Sequence, residues 1–262
     1  MKSVKAKLYF SIGILIIIIG GAFILKSLLP FDGIEFNGDS YRYYLEAISF
    51  SKSIQEFSLP EPAFWPYGFP SLIGILFQFI PASFENAQLV PICLTAGLFL
   101  MLFLILFENF SSPAENKMAI TISILLTFSC GFILKYQLLI MSDIPALFWA
   151  ALSIYLLLRY CKNNNRLFLL MVAVSATIAL LSRYVYGLII IPIVFALWDE
   201  KKSIRSFLID TSLFFICVFA FSIPQLLIDS ASAYSSSINH PGYKIGVMLI
   251  FGYLIEPLLT GI

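Results

Sequence analysis

Residues 68–80, GFPSLIGILFQFI, decide the topology of this chain, because every later segment changes sides if they cross the membrane. The stretch is apolar, but it is shorter than the roughly 17 to 25 residues that a helix needs to cross a bilayer core. Prolines lie in or beside it at positions 62, 66, 70 and 81, and proline breaks a helix interior. We therefore predict that 68–80 dips into the membrane or lies on its outer face without crossing it.

Charge-free apolar runs on both sides of this stretch predict membrane spans, some of them completed by flanking residues. They cover 8–25, 87–107, 118–134, 144–158, 167–182, 184–198 and 211–228, and an eighth begins at 245–255. The chain is 60% apolar and 12% charged, with a mean hydropathy of +0.94, whereas soluble domains carry about 25% charged residues. The sequence predicts an all-α polytopic membrane protein, a single integral membrane domain over 1–262 with about seven to eight transmembrane helices.

The basic residues predict the orientation. If 68–80 does not cross and the N terminus is cytosolic, ten of the sixteen Lys and Arg residues fall inside, in agreement with the positive-inside rule. The first run, 8–25, has no small-x-small cleavage site behind it, so we interpret it as a retained anchor. We expect a multi-pass protein of the plasma (inner) membrane with a cytosolic N terminus.

Net charge and cysteine usage exclude several partners and cofactors. A formal net charge of +1 leaves no basic face for a phosphate backbone, so we expect no nucleic-acid partner. One His and four Cys without paired spacing argue against a metal site or a disulfide framework. No P-loop, GxSxG or HExxH pattern is present either, and we expect no cofactor.

The predicted first outer loop, residues 30–69, is acidic, with six Asp and Glu against two Lys and Arg. Within it, Tyr43, Ala47, Phe50, Ile54 and Phe57 recur at steps of four and three. This spacing is typical of one apolar face of a helix. We predict an amphipathic helix that lies flat on the outer leaflet.

Three charged residues at the predicted outer ends of these segments are candidates for function. Asp39 begins the amphipathic helix, either as a cap or as a general base that takes a proton from an acceptor hydroxyl. Asp143 precedes the run 144–158, either as an ordinary helix start or as a functional acid beside Asp39. Arg183 interrupts an apolar stretch that would be about 48 Å long as a single helix. A tight outer turn therefore places Arg183 near the lipid headgroups, where it either snorkels to the membrane boundary or binds phosphate.

Further residues of the same face are candidate substrate contacts. Arg42 and His240 could bind a phosphate or the acceptor, although a lone histidine such as His240 is more often an ordinary loop residue. Glu61 and Tyr67 could line a sugar pocket, although aromatic residues at an interface commonly form a belt.

Four segments together resemble the C-type membrane glycosyltransferases. They are GDSYRYYLEA (38–47), FWPYGFPSLI (64–73), LIMSDIP (139–145) and LLSRYVYG (180–187). More narrowly, the chain is similar to the dolichyl-phosphate-mannose protein mannosyltransferase-like group, whose bacterial members use polyprenyl-phosphate-linked sugars. The resemblance implies an inverting transfer at the outer leaflet in which Asp39 activates the acceptor, Asp143 is a second acid and Arg183 contacts the donor phosphate, with no obligatory metal.

The resemblance also implies partners: a polyprenyl-phosphate sugar donor, a lipid or protein acceptor, and the surrounding membrane lipids. Full members of the group continue through further spans, and this chain resembles their N-terminal module. A minimal enzyme, a chain completed by a partner subunit and a truncated chain remain alternatives. Two other functions also stay open, a transporter or flippase of lipid-linked sugars and a non-catalytic membrane subunit.

Overall fold

A computed structural model of the chain describes residues 38–61, 63, 65–109, 139–199 and 203–229, together with position 20. Every regular element in these ranges is helical, which confirms the all-α class for the described part. The predicted runs 118–134 and 245–255, and 8–25 apart from position 20, lie outside the described residues.

The helices of the described residues follow one another along the chain. They are α1 (Gly38–Glu56), α2 (Gly68–Leu76), α3 (Phe84–Ala87), α4 (Leu89–Asn109), α5 (Asp143–Asn163), α6 (Arg166–Ser182), a 3-10 helix (Tyr184–Ile189), α7 (Ile190–Asp199) and α8 (Ile204–Asp229).

Three helical segments of the described residues are long and apolar enough to cross a membrane, namely Phe84–Leu106, Asp143–Asn163 and Ile204–Leu226. Two shorter apolar segments, Arg166–Ser182 and Tyr184–Asp199, coincide with two more of the predicted runs. The second of these begins with 3-10 helix, which rises about 2.0 Å per residue instead of about 1.5 Å. The segment therefore reaches roughly 27 Å, close to the bilayer core of about 30 Å.

The stretch 68–80 forms a helix that is too short to cross a membrane. Helix α2 has 9 residues, which is about 14 Å at the rise of an α-helix. Its backbone then turns, with the N–H of Phe79 donating to the carbonyl of Leu76 at 3.0 Å. A segment of this length covers less than half of the roughly 30 Å core.

Helix α1 is present where the pattern predicts it, but it ends at Glu56, one residue before Phe57. Tyr43 and Ala47 are buried, whereas Ile54 is exposed and Phe57 is fully exposed. Phe57 has a left-handed φ of 50°, so the chain leaves the helical path at this residue and its side chain cannot continue the stripe. The other buried residues of α1 are Ser40, Ser51 and Ser53.

The close approach of α1 to α2 accounts for the burial of Ser51. A Cβ atom added at Gly74 would lie 2.8 Å from the backbone oxygen of Ala47, so the two backbones leave room only for small residues. The side chain of Gln78 donates to the carbonyl of Ser51 at 3.0 Å and lies 2.7 Å from its hydroxyl. Hydropathy alone favours large apolar residues at such positions, whereas the close packing selects serine.

Helices α5 and α6 form the central hairpin of the described bundle, with α4 packed on α5 and α8 on α6. Asn164 connects them in the left-handed conformation, with φ 53°, and Asn165 caps α6 by accepting from the N–H of Leu167 at 2.9 Å. Because the two helices are antiparallel, the start of α5 and the end of α6 lie together. We call this the site end, and the opposite end, at residues 164 and 165, the hairpin end.

Candidate functional site

Arg183 lies where the path of the chain breaks at the site end. Helix α6 ends at Ser182, Arg183 is extended with φ −157° and ψ 117°, and the 3-10 helix begins at Tyr184. The break predicted from the length of the apolar stretch is therefore present at the expected residue. An extended residue between two helices projects its side chain away from both axes, and this arginine is 40% exposed.

The guanidinium of Arg183 forms an ion pair with the carboxylate of Asp143, the first residue of α5. The Asp143 side chain is 19% exposed, so water screens the pair only in part. The sequence placed both residues on one side of the membrane, and the structure brings them into direct contact. An acidic residue in the first turn also lies favourably in the dipole of α5.

Ser142, immediately before Asp143, occupies the N-cap position of α5 but does not cap the helix with its side chain. Its buried hydroxyl instead lies 2.7 Å from the hydroxyl of Tyr43 on α1. The Tyr43 ring stacks on Trp65 at 5.9 Å and meets Phe69 edge-on at 5.4 Å. Helix α1 is therefore connected to the start of α5 beside the Asp143–Arg183 pair.

Asp39 lies in the first turn of α1, one helical turn before Tyr43, and is partly exposed. The pKa of Tyr43 is raised to about 12, mainly by burial. The hydrogen bond with Ser142 and the charge of Arg183 act to lower this pKa, and the charges of Glu46 and Asp39 act to raise it. The charges of Asp39, Glu46 and Arg183 thus all act on one phenol. Within the described ranges, no ion pair joins Asp39 to a cationic side chain.

Tyr67 lies beside this cluster, and the prediction that it lines a sugar pocket with Glu61 stays a prediction. Tyr67 is buried, with its hydroxyl donating to the backbone oxygen of Glu61 at 2.6 Å and its N–H donating to the side chain of Gln225 at 2.8 Å. Burial raises the pKa of Tyr67 to about 12. The Tyr67 hydroxyl is therefore occupied by the protein, while the Glu61 side chain is exposed.

The two remaining predicted contacts are Arg42 and His240. Arg42 is exposed on α1, three residues beyond Asp39, and His240 lies outside the described residues. The prediction that they bind substrate therefore stays a prediction.

Sequence reasoning missed Tyr43, Ser142 and Gly68 as members of the site. The helical spacing assigns Tyr43 to an apolar stripe, and Ser142 fits an ordinary helix start. Gly68 matters because a Cβ there would lie 2.4 Å from the carbonyl carbon of Leu181 and 2.5 Å from the nitrogen of Ser182. The start of α2 thus packs backbone on backbone against the residues just before Arg183, and the only local signal was a glycine at a helix start.

The hairpin end holds a second group of charges. Glu108 pairs with Arg159 at 2.9 Å and with Lys162. Asp210, which is buried, accepts from the hydroxyl of Tyr160 at 2.5 Å and from Nε of Arg166 at 3.3 Å. These contacts join α4 to α5 and α8 to the α5–α6 hairpin.

A pocket of about 420 Å³ lies along α7 and the start of α8, and it differs from the charged cluster in chemistry. Its lining is apolar: Ile190, Ile191, Val194, Phe195, Trp198 and Phe207. No side chain in that lining can transfer a proton or bind a phosphate, so we place the candidate site at the Asp143–Arg183 pair. In the part of the chain that the structure describes, no three His, Cys, Asp or Glu side chains gather into a metal centre.

Comparison with known proteins supports the resemblance seen in the sequence. Neither the curated proteins nor the solved structures gave a match. The family model described as dolichyl-phosphate-mannose-protein mannosyltransferase matches residues 66–227, which is more than half of the chain. The matched range contains Tyr67, Ser142, Asp143 and Arg183, and begins after Asp39. The chain therefore belongs to the dolichyl-phosphate-mannose-protein mannosyltransferase family and is a membrane glycosyltransferase.

Proposed function

We propose that the protein transfers a sugar from a polyprenyl-phosphate-linked donor to a lipid or protein acceptor at the outer face of the plasma membrane. The observation that carries the proposal is the Asp143–Arg183 ion pair at the helix break. The helix that bears Asp39 is connected to the same place through Tyr43 and Ser142. Such a transfer needs a cation, an acid that holds this cation and a second carboxylate nearby.

Arg183 is the proposed phosphate ligand. A guanidinium presents several N–H groups in a planar fork that matches phosphate oxygens. Because its side chain is 40% exposed, a phosphate arriving along the membrane surface can reach it. Asp143 holds the guanidinium in place before the donor binds, so little side-chain entropy is lost on binding.

Asp39 is the proposed general base. Its carboxylate takes the proton from the acceptor hydroxyl as that oxygen forms a bond to the anomeric carbon of the sugar. The bond between the anomeric carbon and the phosphate oxygen breaks, and its electrons leave with the polyprenyl phosphate. The added negative charge on the leaving phosphate is stabilised by Arg183.

The orientation follows from the distribution of basic residues. Arg159, Lys162 and Arg166 lie at the hairpin end, and the positive-inside rule assigns a basic end to the cytosol. The site end then faces outward, where its charged residues meet the lipid headgroups. This orientation agrees with a donor whose phosphate lies in the outer leaflet.

The test is sugar transfer by the purified protein in lipid nanodiscs with a panel of polyprenyl-phosphate sugars and mixed acceptors. We expect Asp39→Asn to lower transfer about 100-fold or more, as removal of a general base does, while donor binding persists. The matched control is Glu56→Gln on the same helix, an exposed carboxylate that pairs only with Lys52 among the described residues. It should transfer at the wild-type rate.

Equal rates for wild type and Asp39→Asn would remove Asp39 from the mechanism. A wild-type protein that moves labelled donor across the membrane of a vesicle without transferring the sugar would instead support the flippase alternative. A protein that binds the donor but neither transfers nor moves it would leave the non-catalytic subunit as the better explanation.

A further inference from the structure

The contact between Tyr43 and Ser142 is a side-chain hydrogen bond between two elements that are far apart in the sequence, beside the packing of Ile140 in the same cluster as Tyr43. The two residues are 99 positions apart in the chain, and their hydroxyl oxygens lie 2.7 Å apart in a buried environment. Helix α1 packs mainly on α2, while α5 packs mainly on α4 and α6. This hydrogen bond is therefore a specific connection between the helix that carries Asp39 and the helix that begins with Asp143.

Ser142 uses its hydroxyl for this contact and not for capping. It occupies the N-cap position of α5 with a helical backbone, φ −80° and ψ −7°, and its side chain makes no capping bond there. A capping serine typically has an extended backbone. The backbone conformation of Ser142 therefore leaves its hydroxyl available for the bond with Tyr43.

Tyr43 is held so that its hydroxyl has little freedom. Its side chain is 3% exposed, stacked on Trp65 and packed edge-on against Phe69. A ring fixed on these faces can direct its hydroxyl to one point, and that point is Ser142. Both Asp39 and Arg183 are close enough to influence the Tyr43 pKa, so the hydrogen bond lies among the groups assigned to catalysis.

We propose that Tyr43 and Ser142 are positioning residues, whose hydrogen bond fixes the Asp39 carboxylate relative to the Asp143–Arg183 pair. The covalent spacing makes this effective. Asp39 precedes Tyr43 by one helical turn, about 6 Å along the axis, and Asp143 follows Ser142 directly. A small shift between α1 and α5 would change the distance from the base to the bound donor, and misplacement of about 1 Å can cost on the order of 100-fold in rate.

This inference rests on the proposed function, and the experiment separates the two. Tyr43→Phe, Ser142→Ala and the double variant are compared in nanodiscs for transfer kcat, donor KM and amide hydrogen exchange. We expect kcat to fall about 10-fold in each single variant, with donor KM changed less than twofold. The double variant should be no worse than the singles, because either change removes the same bond.

Hydrogen exchange provides a readout that does not depend on activity. Amides at the start of α1 and at the start of α5 should exchange faster in Tyr43→Phe and in Ser142→Ala than in the wild type. Ser142→Thr, which keeps the hydroxyl, should restore both the slow exchange and kcat. If Tyr43→Phe does not fold, Ser142→Ala alone carries the test, since it removes a single oxygen atom.

The chain offers a matched control for each variant. Tyr160 is another buried tyrosine whose hydroxyl donates to a side chain, that of Asp210, at the hairpin end. Ser153 is a buried serine of α5 whose hydroxyl, among the residues that the structure describes, donates to its own helix at the carbonyl of Ala150. Tyr160→Phe and Ser153→Ala should leave kcat within twofold of wild type even where they lower thermal stability.

Three outcomes would overturn the proposal. Wild-type exchange rates in Tyr43→Phe and Ser142→Ala would show that the bond does not hold the helices together. Faster exchange with unchanged kcat would make the bond purely structural, and an equal loss of kcat in Tyr160→Phe would make the effect a general loss of stability. A wild-type protein with no transfer, or an Asp39→Asn variant that transfers normally, would refute the proposed function instead, while the exchange result would still report on the bond.

Discussion

The two ends of the α5–α6 hairpin are built from similar parts and differ in how completely those parts are paired. Each end has an Arg–Asp ion pair and a buried tyrosine hydroxyl. At the hairpin end, Asp210 and Glu108 each accept from two donor side chains. At the site end, Asp143 has Arg183, and Asp39 has no cationic partner among the described residues.

Buried hydroxyls without a partner occur at both ends. In the part of the chain that the structure describes, the side-chain oxygens of Ser40 and Ser182, beside Asp39 and Arg183, have no hydrogen-bond partner, and neither does that of Thr211, beside Asp210. A buried polar group without a partner costs about 1–3 kcal/mol. The contrast between the two ends therefore rests on the pairing of their carboxylates.

The arginines of the two ends give the sharpest test of this contrast. Arg183→Gln should lower sugar transfer by about 100-fold or more, because it removes the cation proposed to stabilise the leaving phosphate. Arg166→Gln, which removes the matching arginine from Asp210, should leave transfer within about twofold and lower the unfolding temperature instead. Steady-state transfer and thermal unfolding in nanodiscs measure both effects. Similar losses of transfer in the two variants would remove the distinction between the ends.

A second test uses two glycines that differ in what surrounds them. Gly68→Ala should cost about 1–3 kcal/mol in stability, the usual range for overpacking, because the new Cβ would meet the backbone of Leu181 at 2.4 Å. It should also lower transfer, since α2 must move away from the chain just before Arg183. At Gly97 the nearest atom, at 2.7 Å, belongs to the side chain of Phe148, which can shift.

Gly97→Ala is therefore the control. We expect it to lose less stability than Gly68→Ala and to transfer sugar at the wild-type rate. Thermal unfolding and transfer are measured on both variants under the same conditions. Loss of stability without loss of transfer in Gly68→Ala would mean that the close packing supports the fold and not the position of Arg183.

The third and smallest effect is that the two ends respond to opposite extremes of pH. Burial alone would raise the pKa of Glu108, but its bonds from Lys162 and Arg159 lower it overall. The folded pKa is thus below the unfolded one, so this stabilisation is present above the unfolded pKa and is lost as pH falls through the folded pKa. Tyr43 is the reverse case, since burial raises its pKa from 10.0 to about 12.

The stabilisation that comes from the neutral phenol of Tyr43 is complete below pH 10 and is lost as the pH rises toward 12. At pH 11 the loss in the free energy of unfolding is about 1 kcal/mol. Thermal unfolding across the pH range measures both limbs. Glu108→Gln should flatten the acid limb relative to wild type, and Tyr43→Phe should flatten the alkaline limb. A Tyr43→Phe curve parallel to wild type above pH 10 would show that this phenol is not buried as the structure has it.

Much of the fold could be predicted because the signals are local. The runs at 87–107, 144–158, 167–182, 184–198 and 211–228 each coincide with a helical segment, since apolar length along the chain is all that a span requires. The break at Arg183 was predictable for the same reason, because a helix through it would be too long. The pattern also placed Phe57 in the amphipathic helix, which ends at Glu56, because periodicity does not say where a helix ends.

The site was predictable only in part. Asp143 and Arg183 could be placed on one side by counting spans, and the resemblance and the family match agree on the class of enzyme. That Asp143 binds Arg183 could not be deduced, because residues on one side of a membrane can still lie far apart. Tyr67 illustrates the same limit, since an aromatic residue in a loop could line a pocket or be buried, and it is buried.

By itself, the sequence determined that the protein is helical, that it belongs in a membrane and where its apolar segments begin and end. Hydropathy and helix length are properties of consecutive residues, so no partner is needed to express them. Only the tertiary structure decided that Ser142 bonds Tyr43 and that Gly68 meets the backbone of Leu181. Such contacts join residues about 100 positions apart, and they depend on how closely packed helices approach one another, which no local pattern encodes.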